Sequence, residues 1–294
     1  MKTAFEVFQR YEDIRSRLPL APACAQSKTI ASLMELVPEI DAFVFDAFGV
    51  LNVGEKLIPG ADRRLQELRK AGCAIRVLTN AASYDKSGAI EKFQRLGIAL
   101  EDDEIITSRD AALRDLDDRR WGAIAAPEDR LTDLPTGTIR LGDDPDTYDA
   151  VDGILFLSTA EWSEHRQSLL EASLARSARP LVIANADLVA PREDGFSLEP
   201  GFYGHRIADI TDADVRFFGK PYADVFAMAK STLPDLANNR IAMCGDSLHT
   251  DILGAAAYGW RSVLVTRDGL FAGHDVAGFT KASGIHADWQ LDRI

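Results

Sequence analysis

The chain has 294 residues, of which 46% are hydrophobic and 27% are charged. This composition is typical of a globular protein with a large core, and it excludes fibrous, collagenous and disordered chains. The 33 basic and 46 acidic residues give a net charge of −13. Such a charge repels polyanions, so we expect no nucleic-acid partner and no binding to anionic membranes. Any anionic ligand must therefore be held by a local site.

The cysteines and the apolar runs bear on the cellular compartment. Cys24, Cys73 and Cys244 are odd in number, far apart in sequence and form no CxxC pair. This pattern favours a reducing environment and predicts neither a disulfide framework nor structural zinc. The longest apolar run, at 154–157, is much shorter than the roughly 18 residues of a membrane span, and charged residues interrupt the first twenty positions. The sequence therefore predicts a cytoplasmic protein.

Residues 1–40 are predicted to form one or two amphipathic helices appended to the rest of the chain. Beyond them, short β-rich runs alternate with helix-length stretches, as in α/β proteins with a mostly parallel sheet. In chain order we predict a strand at 43–45, a helix that ends near Gly72, a strand at 74–78 and a helix at 84–96.

The sequence changes in character beyond Ser108, where acidic residues, proline and glycine become dense. In this part we predict strands at 123–126, 138–141, 153–157 and 181–184 and a helix at 163–176. The first character then returns, with strands at 215–218, 241–244 and 262–265 and helices from 222 and at 250–258. The simplest interpretation is an α/β core, residues 41–108 and 206–294, interrupted by a smaller α/β domain at residues 109–205.

Four short segments stand out because each follows a predicted strand, where open α/β sheets bind their ligands. They are 46–50 (DAFGV), 78–80 (LTN), 219–221 (GKP) and 245–251 (GDSLHTD). Asp46 can act there as a nucleophile or a metal ligand, and Gly49 permits a turn whose N–H groups approach an anion. Thr79 and Lys220 are suited to binding phosphate. Taken singly, each segment could equally be an ordinary turn or helix start.

The fourth segment is the most specific. We expect Thr250 to cap the following helix and Asp251 to lie in its first turn. A helix cap does not explain Asp246, which ends a strand as Asp46 does. The two aspartates, with backbone carbonyls and water, would give the all-oxygen ligand set that Mg²⁺ prefers.

The order of these segments resembles the four motifs of the haloacid dehalogenase (HAD) superfamily. The insertion between the second and third motifs, the segment 184–187 (ANAD) and the string GDSLHTDILGA resemble its class IIA branch, the NagD-like and 4-nitrophenylphosphatase-like hydrolases with a type-2 cap. The match covers about residues 41–265. It implies an HAD-like Rossmannoid core with an inserted α/β cap, a small sugar- or aryl-phosphate-like substrate, and a homodimer as a further expectation.

The resemblance also implies roles for individual residues. Asp46 would be the nucleophile that forms an aspartyl-phosphate, while Thr79 and Lys220 bind phosphoryl oxygens. The Mg²⁺ ligands would be Asp46, the backbone carbonyl of Phe48, Asp246 and Asp251. The substrate-binding residues would be Phe48, Gly49, Asn80, Asn185 and Asp187.

Position 48 departs from the family pattern. HAD phosphatases carry a second aspartate two residues after the nucleophile as general acid and base, whereas Phe48 has no proton to give. Because such catalysis contributes about 10²- to 10⁴-fold, we expect slow cleavage of alkyl phosphates and a smaller effect on aryl or acyl phosphates. Two alternatives stay open: a metal-independent hydrolase similar to the L-2-haloacid dehalogenases, which have an aromatic residue here, and a phosphometabolite-binding protein with impaired turnover.

Overall fold

A computed structural model describes residues 1, 3–20, 22, 27–192 and 195–294, so Cys24 lies outside the described residues. Its strands are β1 (Lys28–Thr29), β2 (Ala42–Phe45), β3 (Asn52–Val53), β4 (Lys56–Leu57), β5 (Ala74–Thr79), β6 (Ile105–Thr107), β7 (Trp121–Ile124), β8 (Ile139–Arg140), β9 (Gly153–Phe156), β10 (Leu181–Ile183), β11 (Val189–Arg192), β12 (Gly195–Leu198), β13 (Val215–Phe217), β14 (Ile241–Gly245), β15 (Arg261–Val265) and β16 (Trp289–Leu291).

The α-helices are α1 (Ala4–Asp13), α2 (Ala61–Lys70), α3 (Lys86–Arg95), α4 (Ser108–Leu113), α5 (Pro145–Asp149), α6 (Glu164–Arg176), α7 (Pro200–Ile210), α8 (Ala223–Ser231), α9 (Leu253–Tyr258) and α10 (Val276–Ser283). Short 3₁₀ turns lie at Arg15–Arg17, Leu33–Leu36, Asp102–Glu104 and Asn238–Arg240, and a π-helical turn lies at Leu248–Ile252. Within the described ranges, no helix has both the length and the apolar character that crossing a membrane requires.

The larger sheet has the strand order β1-β16-β15-β14-β2-β5-β6, and all of its strand pairs are parallel. All four residues of β2 are buried, as expected for an inner strand that has helices on both faces. The predicted α/β fold with a parallel core sheet is confirmed.

The smaller sheet is also parallel and has the order β13-β10-β9-β7-β8. We call residues 121–217, which contain this sheet, the cap unit. The prediction that the core resumes at residue 206 is wrong, because β13 pairs with β10. Position 206 lies inside α7, whose Tyr203 and Ile207 are buried together with Phe156 of β9. The composition of the sequence therefore changes before the chain passes from the smaller sheet to the larger one. The chain leaves the cap unit only after Phe217.

The N-terminal segment is more than a helical appendage. As predicted it contains a helix, α1, but β1 also joins the core sheet beside β16. Tyr11 and neighbouring apolar side chains of α1 are buried in one cluster with Leu248 of the core and Leu188 of the cap unit. Arg10 and Arg17 add ion pairs to Asp209 of α7 at 2.6 and 2.7 Å. Thus α1 contacts both units.

The buried His205 on α7 is expected to make the stability of the protein sensitive to acidic pH. Its ring is 1% exposed and stacks on Phe217, and burial lowers its pKa to about 3, assisted by the charges of Arg17 and Arg10. Unfolding restores a pKa near 6.5, so the unfolded state binds the proton first. The contribution of neutral, buried His205 to the free energy of unfolding is therefore present above pH 6.5 and is lost as the pH falls towards 3.

As the pH falls from 7 to 5, we expect the titration of His205 to lower the free energy of unfolding by about 2 kcal/mol. Denaturant titrations at pH 7 and pH 5 give the free energy of unfolding at each pH. The decrease from pH 7 to pH 5 should be about 2 kcal/mol smaller in His205→Gln than in the wild type. His165→Gln, which removes an exposed histidine, serves as the control. Equal losses in the wild type and His205→Gln would show that His205 does not contribute.

Candidate active site

Three neighbouring strands of the core sheet end at the same edge. Asp46 follows β2, Thr79 ends β5 and Asp246 follows β14, and the strands are adjacent in the order β14-β2-β5. The structure thus brings together three of the residues that the sequence singled out. Burial raises the pKa of Asp46 to about 6, although a nearby ammonium opposes this rise.

That ammonium belongs to Lys220, which reaches the site by a route that the sequence did not predict. Its preceding strand, β13, lies in the cap unit rather than in the core sheet. Asn80 holds the Lys220 backbone, because Oδ1 accepts its N–H at 2.7 Å and Nδ2 donates to its carbonyl at 2.9 Å. The Lys220 Nζ atom then lies 2.5 Å from Asp46 Oδ1 and 2.8 Å from Asp251 Oδ1. Burial opposes its charge, but the Asp251 and Asp46 carboxylates raise the pKa of Lys220 above its ordinary value.

Asp251 holds the loop that carries Asp246. The prediction that Thr250 caps a helix is wrong, because the chain forms a π-helical turn here that has no side-chain cap. Asp251 Oδ2 instead accepts the N–H groups of Asp246 and Ser247 at 3.1 and 3.0 Å. A Cβ atom on Gly245 would lie 2.1 Å from the Asp251 carboxylate carbon, so glycine is required for this close approach. One oxygen of Asp251 therefore fixes the loop while the other faces Lys220.

Asp46, Asp246 and Asp251 form a cluster that fits a divalent cation. Each offers one carboxylate oxygen, and these atoms all lie within 4.8 Å of one another. Burial and the charges of Asp251 and Asp46 raise the pKa of Asp246 well above its usual range. Lys220 can offset only part of three negative charges. An all-oxygen set with excess negative charge suits a hard cation such as Mg²⁺.

Gly49 shapes this cluster. Its own N–H donates to the Asn52 carbonyl at 2.8 Å and is therefore used within the turn. The approach of the turn's other N–H groups to an anion stays a prediction. The φ of Gly49 is +81°, and a Cβ atom there would lie 2.4 Å from Asp246 Oδ2. Glycine is therefore needed both for the turn and for the contact between this turn and Asp246.

Two of the predicted substrate-binding residues hold a third. Asp187 Oδ1 accepts Nδ2 of Asn80 at 2.8 Å, and the Asp187 N–H donates to Asn185 Oδ1 at 2.9 Å. Asn185 in turn donates to Glu199 at 3.2 Å. The amide atoms of Asn80 and Asn185 are thus used within the protein, whereas Asp187 faces the site. Burial raises the pKa of Asp187 well above its usual range, although Lys220 opposes this effect.

A cavity of about 30 Å³ lies between the core edge and the cap unit. Asp46, Thr79 and Asp187 line it, and it has room for only one or two water molecules. Thr79 Oγ1 accepts the N–H of Ala81 at 3.1 Å, which leaves its proton free for donation. The two units are therefore closed over the nucleophile.

Tyr11 also lines this cavity, although no pattern in the sequence predicts this position. Its hydroxyl accepts the Leu188 N–H at 3.2 Å, and its ring stacks on His249 with centroids 4.9 Å apart. In the sequence, Tyr11 is one more apolar residue of an amphipathic helix. Only tertiary packing brings α1 to the junction between the core and the cap unit.

Phe48 lines the cavity as well, and its ring contacts two cations. Lys92 Nζ lies 4.0 Å from the ring centroid, and the guanidinium carbon of Arg192 lies 5.2 Å from it. Lys92 belongs to α3, and Arg192 ends β11 of the cap unit. A lysine within a helix is ordinarily exposed, so the sequence alone did not single out Lys92.

Comparison with known proteins identifies the family. A model described as haloacid dehalogenase-like hydrolase matches residues 43–127, and an HAD-hydrolase-like model matches residues 217–288. Chronophin from Rattus norvegicus is 30% identical over 247 residues, which cover 80% of this chain and 79% of that protein. The chain belongs to the haloacid dehalogenase-like hydrolases.

Solved structures show the same fold as this HAD hydrolase. A possible sugar phosphatase from Cytophaga hutchinsonii ATCC 33406 has a TM-score of 0.78 and 24% identity, covering 91% of this chain and 98% of that one. NagD from E. coli K-12 has a TM-score of 0.64 and 20% identity, covering 86% and 96%. These similarities confirm the predicted fold of a core with an inserted cap. The class IIA branch stays a prediction.

Proposed function

We propose that this HAD hydrolase is a Mg²⁺-dependent phosphomonoesterase that acts through an aspartyl-phosphate on Asp46. The observation that carries the proposal is the cluster of Asp46, Asp246 and Asp251 around Lys220 at the carboxyl ends of adjacent strands. Two similar proteins named as a possible sugar phosphatase and a nitrophenyl phosphatase support the reaction class.

The groups that would hold the cation are Asp46, Asp246, Asp251 and the backbone carbonyl of Phe48. When bound, Mg²⁺ supplies positive charge that offsets the negative phosphoryl oxygens. The protein has few other sources of such charge here, because Lys220 already faces two carboxylates. We therefore expect phosphate to bind poorly without the metal.

The chain's own residues perform the transfer. An Asp46 oxygen forms a bond to phosphorus while the bond between phosphorus and the ester oxygen breaks. The leaving group departs as an alkoxide or phenolate, which takes its proton from water. Lys220 holds Asp46 at 2.5 Å and favours its ionised form. The Thr79 hydroxyl is free to donate to a phosphoryl oxygen, which stabilises charge in the transition state. Water then hydrolyses the aspartyl-phosphate and frees Asp46.

The substrate enters when the cap unit moves away from the core, because the closed cavity is too small for a phosphate ester. A neighbouring cavity of about 650 Å³, which Ser83, Ser158 and Arg192 line, has room for the rest of a small phosphorylated metabolite. Cytoplasmic location and a homodimer stay predictions, although the buried, unpaired thiols of Cys73 and Cys244 agree with a reducing compartment.

Hydrolysis of 4-nitrophenyl phosphate tests the proposal. We expect phosphate release in Mg²⁺, loss of release in EDTA and recovery when Mg²⁺ is returned in excess. Chloride release from L-2-chloropropionate in EDTA would instead identify a metal-independent dehalogenase. Saturable, Mg²⁺-linked binding of phosphate esters without any product would identify a binding protein that has lost turnover.

A further inference from the structure

Lys92 is a buried cation that forms no ion pair with any residue that the structure describes. Its side chain extends from the inner face of α3, and the residue is only 4% exposed. The contact that the structure shows for its ammonium is with the Phe48 ring. In the part of the chain that the structure describes, no carboxylate lies within ion-pair distance of Lys92 Nζ. Burial lowers the pKa of Lys92 to about 8, although the charges of Glu55 and Asp46 oppose this shift.

An unpaired buried ammonium is unfavourable, and one aromatic ring compensates only partly for the lost water. The other buried cations among the described residues form ion pairs. Arg109, for example, is 0% exposed and forms ion pairs with Asp129 and Asp133 at 2.5 and 2.7 Å. Lys92 therefore lacks a partner that comparable groups of the same protein have.

The position of Lys92 indicates where such a partner would come from. Phe48 lines the cavity that contains Asp46, and Lys92 Nζ lies against the Phe48 ring, so one side chain separates the ammonium from this cavity. Arg192 contacts the same ring from the cap unit and lines the larger cavity. Arg192 is already paired with Glu199 at 3.2 Å and is 43% exposed, so the unmatched charge is that of Lys92.

We propose that Lys92 binds a carboxylate on the leaving group of the substrate, and that the substrates are phosphomonoesters that also carry a carboxylate. The proposal rests on the proposed phosphomonoesterase function, whose substrate class it narrows. A carboxylate matches the single buried charge, and the Phe48 ring separates this carboxylate from the negatively charged metal cluster. Lys92 is then a specificity-determining residue that does not take part in the bond exchange.

Non-hydrolysable ligands test this inference by calorimetry in the presence of Mg²⁺. Phosphonoacetate, 3-phosphonopropionate and 4-phosphonobutyrate are compared with ethyl-, propyl- and butylphosphonate, which carry a methyl group in place of the carboxylate. For the pair of the best length, we expect the wild type to bind the carboxylate compound at least about tenfold more tightly. In Lys92→Met this preference should fall below about threefold, while the affinity for the alkylphosphonate stays unchanged.

Arg95→Met is the matched control, because Arg95 is an exposed cation at the end of the same helix, and it should keep the wild-type preference. Thermal unfolding of each variant checks that the fold is intact. Measurements on the wild type are enough to overturn the inference. It fails if no carboxylate compound binds to the wild type more than threefold more tightly than the matching alkylphosphonate. Equal preference in the wild type and Lys92→Met would also overturn it.

Hydrolysis of 4-nitrophenyl phosphate, measured in parallel, separates this inference from the proposed function. Hydrolysis without carboxylate preference would refute the role of Lys92 alone. A preference that depends on Lys92 without any hydrolysis would refute the phosphomonoesterase and support the carboxylate site.

Discussion

Asp46→Asn is expected to lower the release of 4-nitrophenol from 4-nitrophenyl phosphate by at least about 10⁴-fold, because the substitution removes the nucleophile. The other two carboxylates of the metal cluster are already held by the protein. Asp251 is bound to the loop N–H groups and to Lys220, and Asp246 accepts the Leu270 N–H at 2.7 Å. Steady-state assays in Mg²⁺, with phosphate measured independently, give the ratio of the two rates.

Asp41→Asn provides a matched control for this experiment. Asp41 precedes the same strand, β2, at its opposite end, and pairs with Arg240 at 2.6 Å on a partly exposed surface. This variant makes the same chemical change and should keep activity within about twofold. Lys220 retains Asp251 as a partner in Asp46→Asn, so we expect that variant to fold. Wild-type activity in Asp46→Asn would assign the nucleophile to another group and refute the aspartyl-phosphate.

The sequence was informative where a residue's role depends on its own strand. Asp46, Thr79 and Asp246 each terminate a buried strand of a parallel sheet, and the ends of adjacent parallel strands must share one edge. Their convergence follows from local pattern and topology together. The resemblance to a known family has the same origin, because each motif follows its strand and the motifs therefore occur in a recognisable order along the chain.

The sequence was uninformative where position depends on contacts between distant segments. Lys220 looked like a residue at the end of a core strand, but its strand belongs to the cap unit, and Asn80 fixes its position through hydrogen bonds. Thr250 and Asp251 followed the pattern of a capped helix, yet the Asp251 carboxylate folds back to the loop. Lys92 and Tyr11 carry no local signal at all, because their burial arises from packing against Phe48 and His249.

These contacts also connect the missing general acid with the unpaired lysine. An aspartate at position 48 would lie against Lys92, whose charge would favour the ionised carboxylate and lower its pKa. A carboxyl group that is held ionised is a poor proton donor to a leaving alcohol. The phenyl ring at position 48 and the unpaired ammonium at position 92 therefore form one local environment. A substitution at position 48 must be tested both with and without a substitution at position 92.

Phe48→Asp is thus expected to raise kcat for glycerol 3-phosphate only about tenfold by itself. The double variant Phe48→Asp with Lys92→Met should raise it about 10²- to 10³-fold, because the carboxyl group can then hold a proton near neutral pH. In the wild type, 4-nitrophenyl phosphate should give a burst of nitrophenol equal to the enzyme concentration, since Phe48 cannot act as a base in the hydrolysis of the aspartyl-phosphate. The burst should disappear in the double variant.

Phe48→Asn, alone and with Lys92→Met, controls for the space that loss of the ring opens, because asparagine has nearly the shape of aspartate without a titratable proton. Both control variants should leave kcat for glycerol 3-phosphate within about threefold of the wild type. The pH profile of the double aspartate variant should acquire a limb at high pH, where the new acid ionises. If the asparagine variants gain as much as their aspartate counterparts, steric relief accounts for the gain. The absence of an acid at position 48 would then not limit the turnover of alkyl phosphates.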